Sequence, residues 1–119
     1  MGDGSIQYSI QALWSAVQYK APVIFIVLCN SDYSALKSFC DFTQVGRNVH
    51  GMDIPGIDIV KIAHGYGMTA KHVERPDELQ PALQEAFASQ EPRLISVKIA
   101  KAGQTCMGMD QSANPPKYS

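Results

Sequence analysis

Two short polar segments of the sequence carry groups that could bind a phosphate and a metal ion. The first is Gly2-Asp3-Gly4-Ser5, which opens a stretch of helical periodicity. Glycines let a backbone approach a ligand closely, and the N–H groups at a helix start attract phosphate. The second is Asn30, at the end of the apolar run of residues 23–28. Each signal is weak alone, because both Gly-Asp-Gly and Asn are common in ordinary turns.

The local sequence pattern predicts the elements that would hold these two segments. Apolar residues recur at helical spacing over residues 6–20, with Ser5 as the predicted N-cap, and Pro22 ends this helix. The run from Val23 to Leu28 is continuously apolar and rich in β-branched residues. Such a run is typical of a parallel strand that is covered on both faces.

The rest of the chain continues the alternation of helices and strands. We predict helices at residues 33–42, 57–65 and 76–89, strands at residues 68–73 and 93–99, and an irregular loop at residues 43–56. This order predicts an α/β domain, a parallel sheet with helices on both faces and right-handed crossovers. We expect the domain to occupy residues 1–99 and residues 100–119 to form an extended or partly disordered C-terminal tail.

On such a fold, Asp3 and Asn30 would meet at the carboxyl edge of the sheet, where open α/β sheets bind ligands. The helix after Asp3 leaves this crevice, and the strand before Asn30 returns to it. The Asp3 carboxylate, the Asn30 amide oxygen and a nearby backbone carbonyl would offer three hard oxygens. Together with two diphosphate oxygens and a water, they would form an octahedral Mg²⁺ site.

Length and composition limit the classes of protein to which the chain can belong. Its 119 residues allow one domain, and a formal net charge of -1 gives no reason to invoke nucleic acid or an anionic membrane. The three cysteines, Cys29, Cys40 and Cys106, fit neither a disulfide framework nor a zinc site, so we expect a reducing cytoplasm. No apolar run reaches the eighteen or so residues that span a bilayer, so we expect a soluble chain that is not secreted.

Several other residues receive structural interpretations. Trp14 lies on the apolar face of the first predicted helix and is predicted to be a core residue. Cys29 and Cys40 are predicted to be small buried hydrophobes. The three histidines share no ligand spacing, and we assign none of them a catalytic role.

The segment Gly2-Asp3-Gly4, followed by residues 5–29 and then Asn30, resembles the thiamine diphosphate motif. The longer stretch GDGSIQYSIQALWSAVQYKAPVIFIVLCNSDYSALKSF is similar to the benzoylformate decarboxylase family in particular. The similarity continues through IPGIDIVKIAHGYG to the predicted strand that ends at Ile99. The resemblance implies the thiamine diphosphate-binding fold, lacking its first strand because only Met1 precedes the motif.

The resemblance also implies roles for individual positions. The implied cofactor-binding residues are Gly2, Asp3, Gly4, Ser5, Asn30, Asp32 and Tyr33. Among them, Asp3 and Asn30 would bind Mg²⁺ through their side chains, and Asp32 through its backbone carbonyl. Cys29 departs from the family pattern, since many relatives have a second Asn there, but the ligand position itself is intact.

A substrate pocket is implied by the same resemblance. Leu36 and Phe39 match positions that line it in the family, although their helical i, i+3 spacing would equally suit packing residues. The implied reaction is non-oxidative decarboxylation of a 2-oxo acid, with an aromatic substrate. The implied cofactors are thiamine diphosphate and Mg²⁺.

The groups that activate the cofactor lie elsewhere in the resembled family. Its catalytic glutamate and histidines belong to other parts of the full-length chain, largely on a neighbouring subunit, and no segment here matches them. The implied partners are therefore a pyrimidine-binding domain, on the same or another chain, and further copies in a homo-oligomer. Two alternatives stay open: a domain of an acetolactate synthase-like carboligase, and a non-catalytic module that binds a diphosphate or a partner chain.

Overall fold

The computed structural model describes residues 1–45 and 49–101. These residues contain a parallel sheet with strands β1 (Ile24–Cys29), β2 (Thr69–Val73) and β3 (Arg93–Lys98), in the spatial order β1-β3-β2. Val27 of β1 and His72 of β2 both lie beside Ser96 of the central strand. Because all three strands run in the same direction, their carboxyl ends meet at one edge of the sheet.

Helices cover both faces of this sheet. They are α1 (Asp3–Ile6), α2 (Ala12–Gln18), α3 (Ser34–Phe42), α4 (Ile59–Gly65) and α5 (Pro76–Ser89), and a 3₁₀ turn spans Gln7–Ser9. Buried residues of α1, α2 and α4 pack against Val27 and Leu94 on one face. On the other face, α5 packs against Val73 and Ile95. The predicted α/β architecture with a parallel sheet and helices on both faces is confirmed.

The first helix does not begin as predicted. Its first residue is Asp3, and its N-cap is Gly2, which offers no side-chain hydrogen bond. The prediction of Ser5 as the N-cap is therefore wrong, and Ser5 is an exposed residue of α1. The helix starts earlier than predicted because the carbonyl of Gly2 already accepts the N–H of Ile6 at 3.1 Å.

The interpretation of Trp14 as a core residue is also wrong, because 52% of its surface is exposed. The sheet-facing side of α2 is instead formed by Leu13, which is 1% exposed, and by Ala16. Neighbouring residues of a helix point about 100° apart, so Trp14 faces away from the side of Leu13. Cys40 is buried, as predicted.

The later helices follow their capping signals closely. The predicted helix at residues 57–65 begins instead at Ile59, because the Asp58 side chain accepts the N–H of Lys61 at 3.0 Å. This hydrogen bond holds the pKa of Asp58 below its usual value. Helix α5 begins at Pro76 as predicted, and the Glu78 carboxylate accepts the N–H of Arg75 at 3.2 Å.

No helix among the described residues is both long and apolar enough to cross a membrane. Residues 49–56, in the predicted irregular loop, contain one isolated bridge residue and no helix or strand. Residues 46–48 of that loop and residues 102–119 of the predicted tail lie outside the described part of the chain.

One edge of β1 is only partly paired in the described structure. The Met1 ammonium group donates to the carbonyl of Ile26 at 2.9 Å, and the N–H of Leu28 donates to the carbonyl of Met1 at 2.8 Å. Gly2 thereby pairs with Leu28 in a parallel bridge. The side chains of Ile26 and Leu28 remain exposed, and a groove between β1 and α5 includes the exposed Phe87.

We expect this surface to make the chain self-associate. An open strand edge beside exposed apolar side chains favours pairing with another copy. Light scattering over a dilution series should give an average mass above 13.0 kDa that rises with concentration. Ile26→Lys should lower that mass, whereas Tyr19→Lys, at an exposed position beyond the end of α2, should not. A constant mass of 13.0 kDa over the series would contradict this expectation.

Candidate functional site

Asp3 joins the start of α1 to the end of β1. Its side chain is buried, with 5% of the residue exposed. Its Oδ1 accepts the N–H of Gly4 at 2.9 Å, and its Oδ2 accepts the N–H of Ser31 at 2.7 Å. Because Ser31 directly follows Asn30, the structure brings the two predicted polar segments together at the carboxyl edge of the sheet. Each carboxylate oxygen keeps further lone-pair capacity for a ligand.

A tight turn after β1 sets the direction of the Asp32 backbone. Ser31 adopts a left-handed conformation with φ 56°, and its carbonyl accepts the N–H of Ile54 at 3.0 Å. The N–H of Tyr33 donates to the carbonyl of Met52 at 2.9 Å, so that Asp32 and Asp53 form an isolated antiparallel bridge. In this pairing, the residues on either side of Asp32, Ser31 and Tyr33, form the hydrogen bonds to the segment around residue 53. The N–H and C=O of Asp32 itself therefore point away from that segment.

The Asn30 amide lies on the side toward which the Asp32 backbone points. Its Oδ1 accepts the N–H of Asp32 at 3.1 Å, and its Nδ2 donates to Oγ of Ser34 at 2.8 Å. The backbone carbonyl of Asp32 therefore shares a side with the amide oxygen of Asn30. The Asp3 carboxylate reaches the same turn through its bond to Ser31.

This donor set fits Mg²⁺. A carboxylate, an amide oxygen and a backbone carbonyl are hard oxygen ligands, and Mg²⁺ completes its octahedron with waters and substrate phosphates. In residues 1–45 and 49–101, no three His, Cys, Asp or Glu side chains gather where they could hold a metal ion. The residues present thus fit a Mg²⁺ ion that is held jointly with a diphosphate better than one held by protein side chains alone.

Gly4 occupies a position with no room for a side chain. A Cβ atom there would lie 2.5 Å from Cε1 and 2.8 Å from Cδ1 of Tyr33, and 3.0 Å from Cδ1 of Ile54. The ring of Tyr33 therefore packs directly on the backbone of the helix start. Tyr33 and Gly4, both predicted to be near the cofactor, are thus in direct contact. At Gly2, by contrast, an added Cβ atom would have its nearest neighbour, Oγ of Ser5, at 3.9 Å.

An ion-pair cluster lies behind the turn. Nζ of Lys37 is 2.6 Å from Oδ1 of Asp32 and 2.8 Å from Oδ1 of Asp53. Oδ1 of Asp32 is shielded from solvent and meets the ammonium group as a charge contact without an aligned hydrogen bond. The contacts with Asp32 and then Asp53 raise the pKa of Lys37, and Lys37 lowers the pKa of Asp53. The cluster fastens α3 to the segment around residue 53.

Three residues at this site were not predicted from the sequence: Ser34, Lys37 and Asp53. Ser34 and Lys37 follow Asp32 by two and five residues, but Asp32 precedes the helix, so no helical spacing rule pairs them. Asp53 comes from the predicted irregular loop, and only its bridge to Asp32 brings it close. One feature of the sequence could have indicated the site: several charged and hydroxyl residues follow directly after the strand β1.

Leu36 and Phe39 are on α3, and they are 48% and 54% exposed. Such exposure does not support the alternative that they are packing residues of this chain's own core. Their apolar side chains are available to another surface, and their place in a substrate pocket stays a prediction.

Cys29 is not the simple buried hydrophobe that the sequence suggested. It is half-buried, and its Sγ lies 3.3 Å from Oγ of Ser96, which lies 3.1 Å from Nδ1 of His72. These three residues are on adjacent strands of the sheet. Burial raises the pKa of the Cys29 thiol, which keeps it protonated and a poor nucleophile near neutral pH.

Comparison with known protein families identifies the kind of domain to which this site belongs. The family described as thiamine pyrophosphate enzyme, C-terminal TPP binding domain, matches residues 1–97. The chain is 46% identical over 97 residues to benzoylformate decarboxylase of Pseudomonas aeruginosa, covering 82% of this chain and 18% of that protein. It is 39% identical over 98 residues to the acetolactate synthase large subunit of Haemophilus influenzae, covering 82% of this chain and 17% of that protein.

Solved structures show the same likeness. The thiamine diphosphate-dependent 4-hydroxybenzoylformate decarboxylase of Rhodococcus jostii RHA1 superposes with a TM-score of 0.82 at 41% identity, covering 88% of this chain and 20% of that chain. Benzoylformate decarboxylase of Polynucleobacter necessarius gives a TM-score of 0.82 at 43% identity, covering 86% of this chain and 19% of that chain. The chain thus spans about a fifth of the length of these relatives. The resemblance found in the motif is confirmed: the chain belongs to the thiamine pyrophosphate enzyme family and corresponds to its C-terminal TPP-binding domain.

Proposed function

We propose that this chain holds the diphosphate of thiamine diphosphate, together with Mg²⁺, as part of a 2-oxo acid decarboxylase that acts on an aromatic substrate such as benzoylformate. The observation that carries this proposal is the 2.7 Å hydrogen bond from the N–H of Ser31 to Oδ2 of Asp3. It puts a buried carboxylate one residue from the Asn30 amide, at the ligand-binding edge of a parallel sheet. The 46% identity to a benzoylformate decarboxylase supports the choice of substrate class.

Each site residue has a defined part in this proposal. The side-chain oxygens of Asp3 and Asn30 and the backbone carbonyl of Asp32 bind Mg²⁺, which offsets the charge of the diphosphate. In the first turn of α1, the N–H of Gly4 already donates to Oδ1 of Asp3, so we assign the N–H of Ser5 to the diphosphate, and Gly4 contacts the same group through close approach of its backbone. Gly2 lets the chain approach the same group closely. When bound, thiamine diphosphate supplies the nucleophilic carbon and the electron sink for decarboxylation.

The remaining parts of the active site come from outside this domain. A pyrimidine-binding domain, on the same or another chain, contributes the groups that activate the cofactor, so the isolated chain is inactive. The half-exposed Leu36 and Phe39 on α3 form part of the pocket wall against the aromatic group of the substrate. The working enzyme is a homo-oligomer in the cytoplasm.

A domain of an acetolactate synthase-like carboligase is the second candidate. It is supported by the 39% identity to the Haemophilus influenzae large subunit over nearly the same part of this chain. Both candidates use the same diphosphate site, so the choice between them depends on the substrate pocket and not on Asp3 or Asn30.

A chimeric enzyme tests the proposed substrate class. Residues 1–97 of this chain would replace the matching segment of the Pseudomonas aeruginosa benzoylformate decarboxylase. The two proteins are 46% identical over 97 residues. We expect the chimera to decarboxylate benzoylformate, and the same chimera with Phe39→Ala to show a raised KM with little change in kcat. A chimera that folds and binds the cofactor yet leaves benzoylformate intact would contradict the proposal.

A matched chimera with the Haemophilus influenzae acetolactate synthase separates the two candidates. If that chimera forms acetolactate while the benzoylformate decarboxylase chimera is inactive, the carboligase candidate is favoured. Circular dichroism of both chimeras provides the folding control. If neither chimera binds thiamine diphosphate although both fold, a non-catalytic role for this chain is favoured.

A further inference from the structure

We infer that Ser34 is a positioning residue that fixes which way the Asn30 amide faces, and that the carboxylate of Asp32, held by Lys37, sets the direction of the Ser34 hydroxyl. The consequence for metal binding rests on the proposed function. The orientation of the amide is a property of the chain without any ligand.

The Ser34 hydroxyl has a single hydrogen to donate. Oγ of Ser34 lies 3.3 Å from Oδ2 of Asp32, and an ionised carboxylate can only accept a hydrogen bond. Ser34 therefore donates its hydrogen to Asp32. Its remaining contact, with the Asn30 amide at 2.8 Å, must then be one in which Ser34 accepts. Only Nδ2 of Asn30 carries hydrogens, so Nδ2 faces Ser34.

The amide oxygen of Asn30 must consequently face the opposite way. There it accepts the N–H of Asp32 at 3.1 Å, on the side of the turn that also carries the Asp32 carbonyl. The reversed amide would set its NH₂ group against the N–H of Asp32 and would turn hydrogens, not oxygen, toward a cation. The contact of Nδ2 with Ser34 and the contact of Oδ1 with Asp32 therefore favour the same orientation of the amide. This is the orientation in which the oxygen can bind Mg²⁺.

Lys37 keeps Asp32 able to act in this way. The Asp32 side chain is only 6% exposed, and a buried carboxylate requires a compensating partner. Nζ of Lys37 supplies that partner at Oδ1, 2.6 Å away, which leaves Oδ2 for Ser34. Lys37 is itself anchored by Asp53 at 2.8 Å. Lys37 therefore acts on Asn30 through Asp32 and Ser34, without touching the candidate metal position.

The test compares Ser34→Ala and Ser34→Thr with the control Ser38→Ala, one turn further along α3. NMR of the ligand-free chain would follow solvent exchange of the Asn30 side-chain NH₂ hydrogens. We expect slow exchange in the wild type, in Ser34→Thr and in Ser38→Ala, and fast exchange in Ser34→Ala. Calorimetry should show that Ser34→Ala lowers the Mg²⁺-dependent affinity for thiamine diphosphate about tenfold, since residues that orient metal ligands commonly contribute 10–100-fold.

A second pair of variants checks the charge behind the hydroxyl. Lys37→Met should speed exchange of the Asn30 amide hydrogens and weaken binding in the same direction as Ser34→Ala. Lys61→Met, which removes an exposed lysine paired with Asp58, should change neither. Lys37→Arg, which keeps the charge, should preserve much of the slow exchange of the Asn30 amide hydrogens and much of the binding affinity.

The outcomes separate this inference from the proposed function. Unchanged Asn30 amide exchange in a folded Ser34→Ala variant would overturn the inference. Wild-type affinity of Ser34→Ala, in the presence of Mg²⁺, would overturn the positioning role. If the wild type shows no Mg²⁺-dependent binding while the amide exchange responds as expected, the orientation is supported and the proposed function fails.

Discussion

Replacing Asp3 with Ala is expected to abolish the Mg²⁺-dependent binding of thiamine diphosphate to this chain. The change removes the only carboxylate side chain among the proposed metal ligands. It also leaves the N–H groups of Gly4 and Ser31 without the acceptors that they have at 2.9 Å and 2.7 Å. Loss of a ligand should exceed the effect of losing a residue that only orients one, so we expect the affinity to fall by on the order of 100-fold or more. Isothermal titration calorimetry with thiamine diphosphate in the presence of Mg²⁺ measures this affinity.

Two further variants make the Asp3 result interpretable. Asp3→Asn keeps the size of the side chain and one oxygen acceptor, so it should preserve more stability than Asp3→Ala while still weakening Mg²⁺-dependent binding. Asp77→Asn removes an exposed carboxylate that pairs with Arg75 on α5, and it should leave binding unchanged. Wild-type affinity in Asp3→Ala, with Mg²⁺ required as before, would show that the metal lies elsewhere.

Gly4→Ala is expected to destabilise the fold strongly for a single added methyl group. The new Cβ would lie 2.5 Å from Cε1 of Tyr33, a distance at which one of the two groups must move. Tyr33 is held by its N–H bond to Met52, and Ile54 blocks a second side of the same position. Overpacking of this kind costs about 1–3 kcal/mol of the free energy of unfolding. Urea denaturation followed by circular dichroism measures the loss.

A control and a rescue accompany this substitution. Gly65→Ala, in α4, places a methyl group where no atom lies within 4 Å, and it should be neutral or stabilising by up to about 1 kcal/mol. In a Tyr33→Ala background, Gly4→Ala should cost much less stability than in the wild type, because the clashing ring is absent. Equal stability of Gly4→Ala and the wild type would show that Tyr33 does not pack on the helix start.

Much of the fold follows from local sequence patterns. The apolar run ending at Leu28 predicted a strand covered on both faces, which is wrong, because the side chains of Ile26 and Leu28 are exposed. The parallel strand β1 itself and the start of α5 at Pro76 did follow from the sequence. These features depend on neighbouring residues only. The start of the first helix did not follow, because its first backbone bond, from the N–H of Ile6 to the carbonyl of Gly2, forms without any side-chain cap. The exposure of Trp14 did not follow either, because helical periodicity leaves the width of the buried face open.

The site was predictable to a smaller extent. That Asp3 and Asn30 would meet follows from the topology, since a helix leaving and a strand reaching the same edge must come together. The cluster of Asp32, Ser34, Lys37 and Asp53 was not predictable, because Asp53 reaches Asp32 through a bridge formed by an irregular segment. The proposed pocket roles of Leu36 and Phe39 stay a prediction, because neither helical periodicity nor the exposure of their side chains assigns a role.

Calorimetry of the wild-type chain tests most directly whether this chain holds Mg²⁺ and a diphosphate jointly. Thiamine diphosphate would be titrated in the presence of Mg²⁺, in the presence of a chelator, and against thiamine without its diphosphate. We predict weak, saturable binding of one thiamine diphosphate per chain with Mg²⁺, and none with the chelator or with thiamine. Binding that is equally strong without metal or without the diphosphate, or no binding under any condition, would contradict the claim.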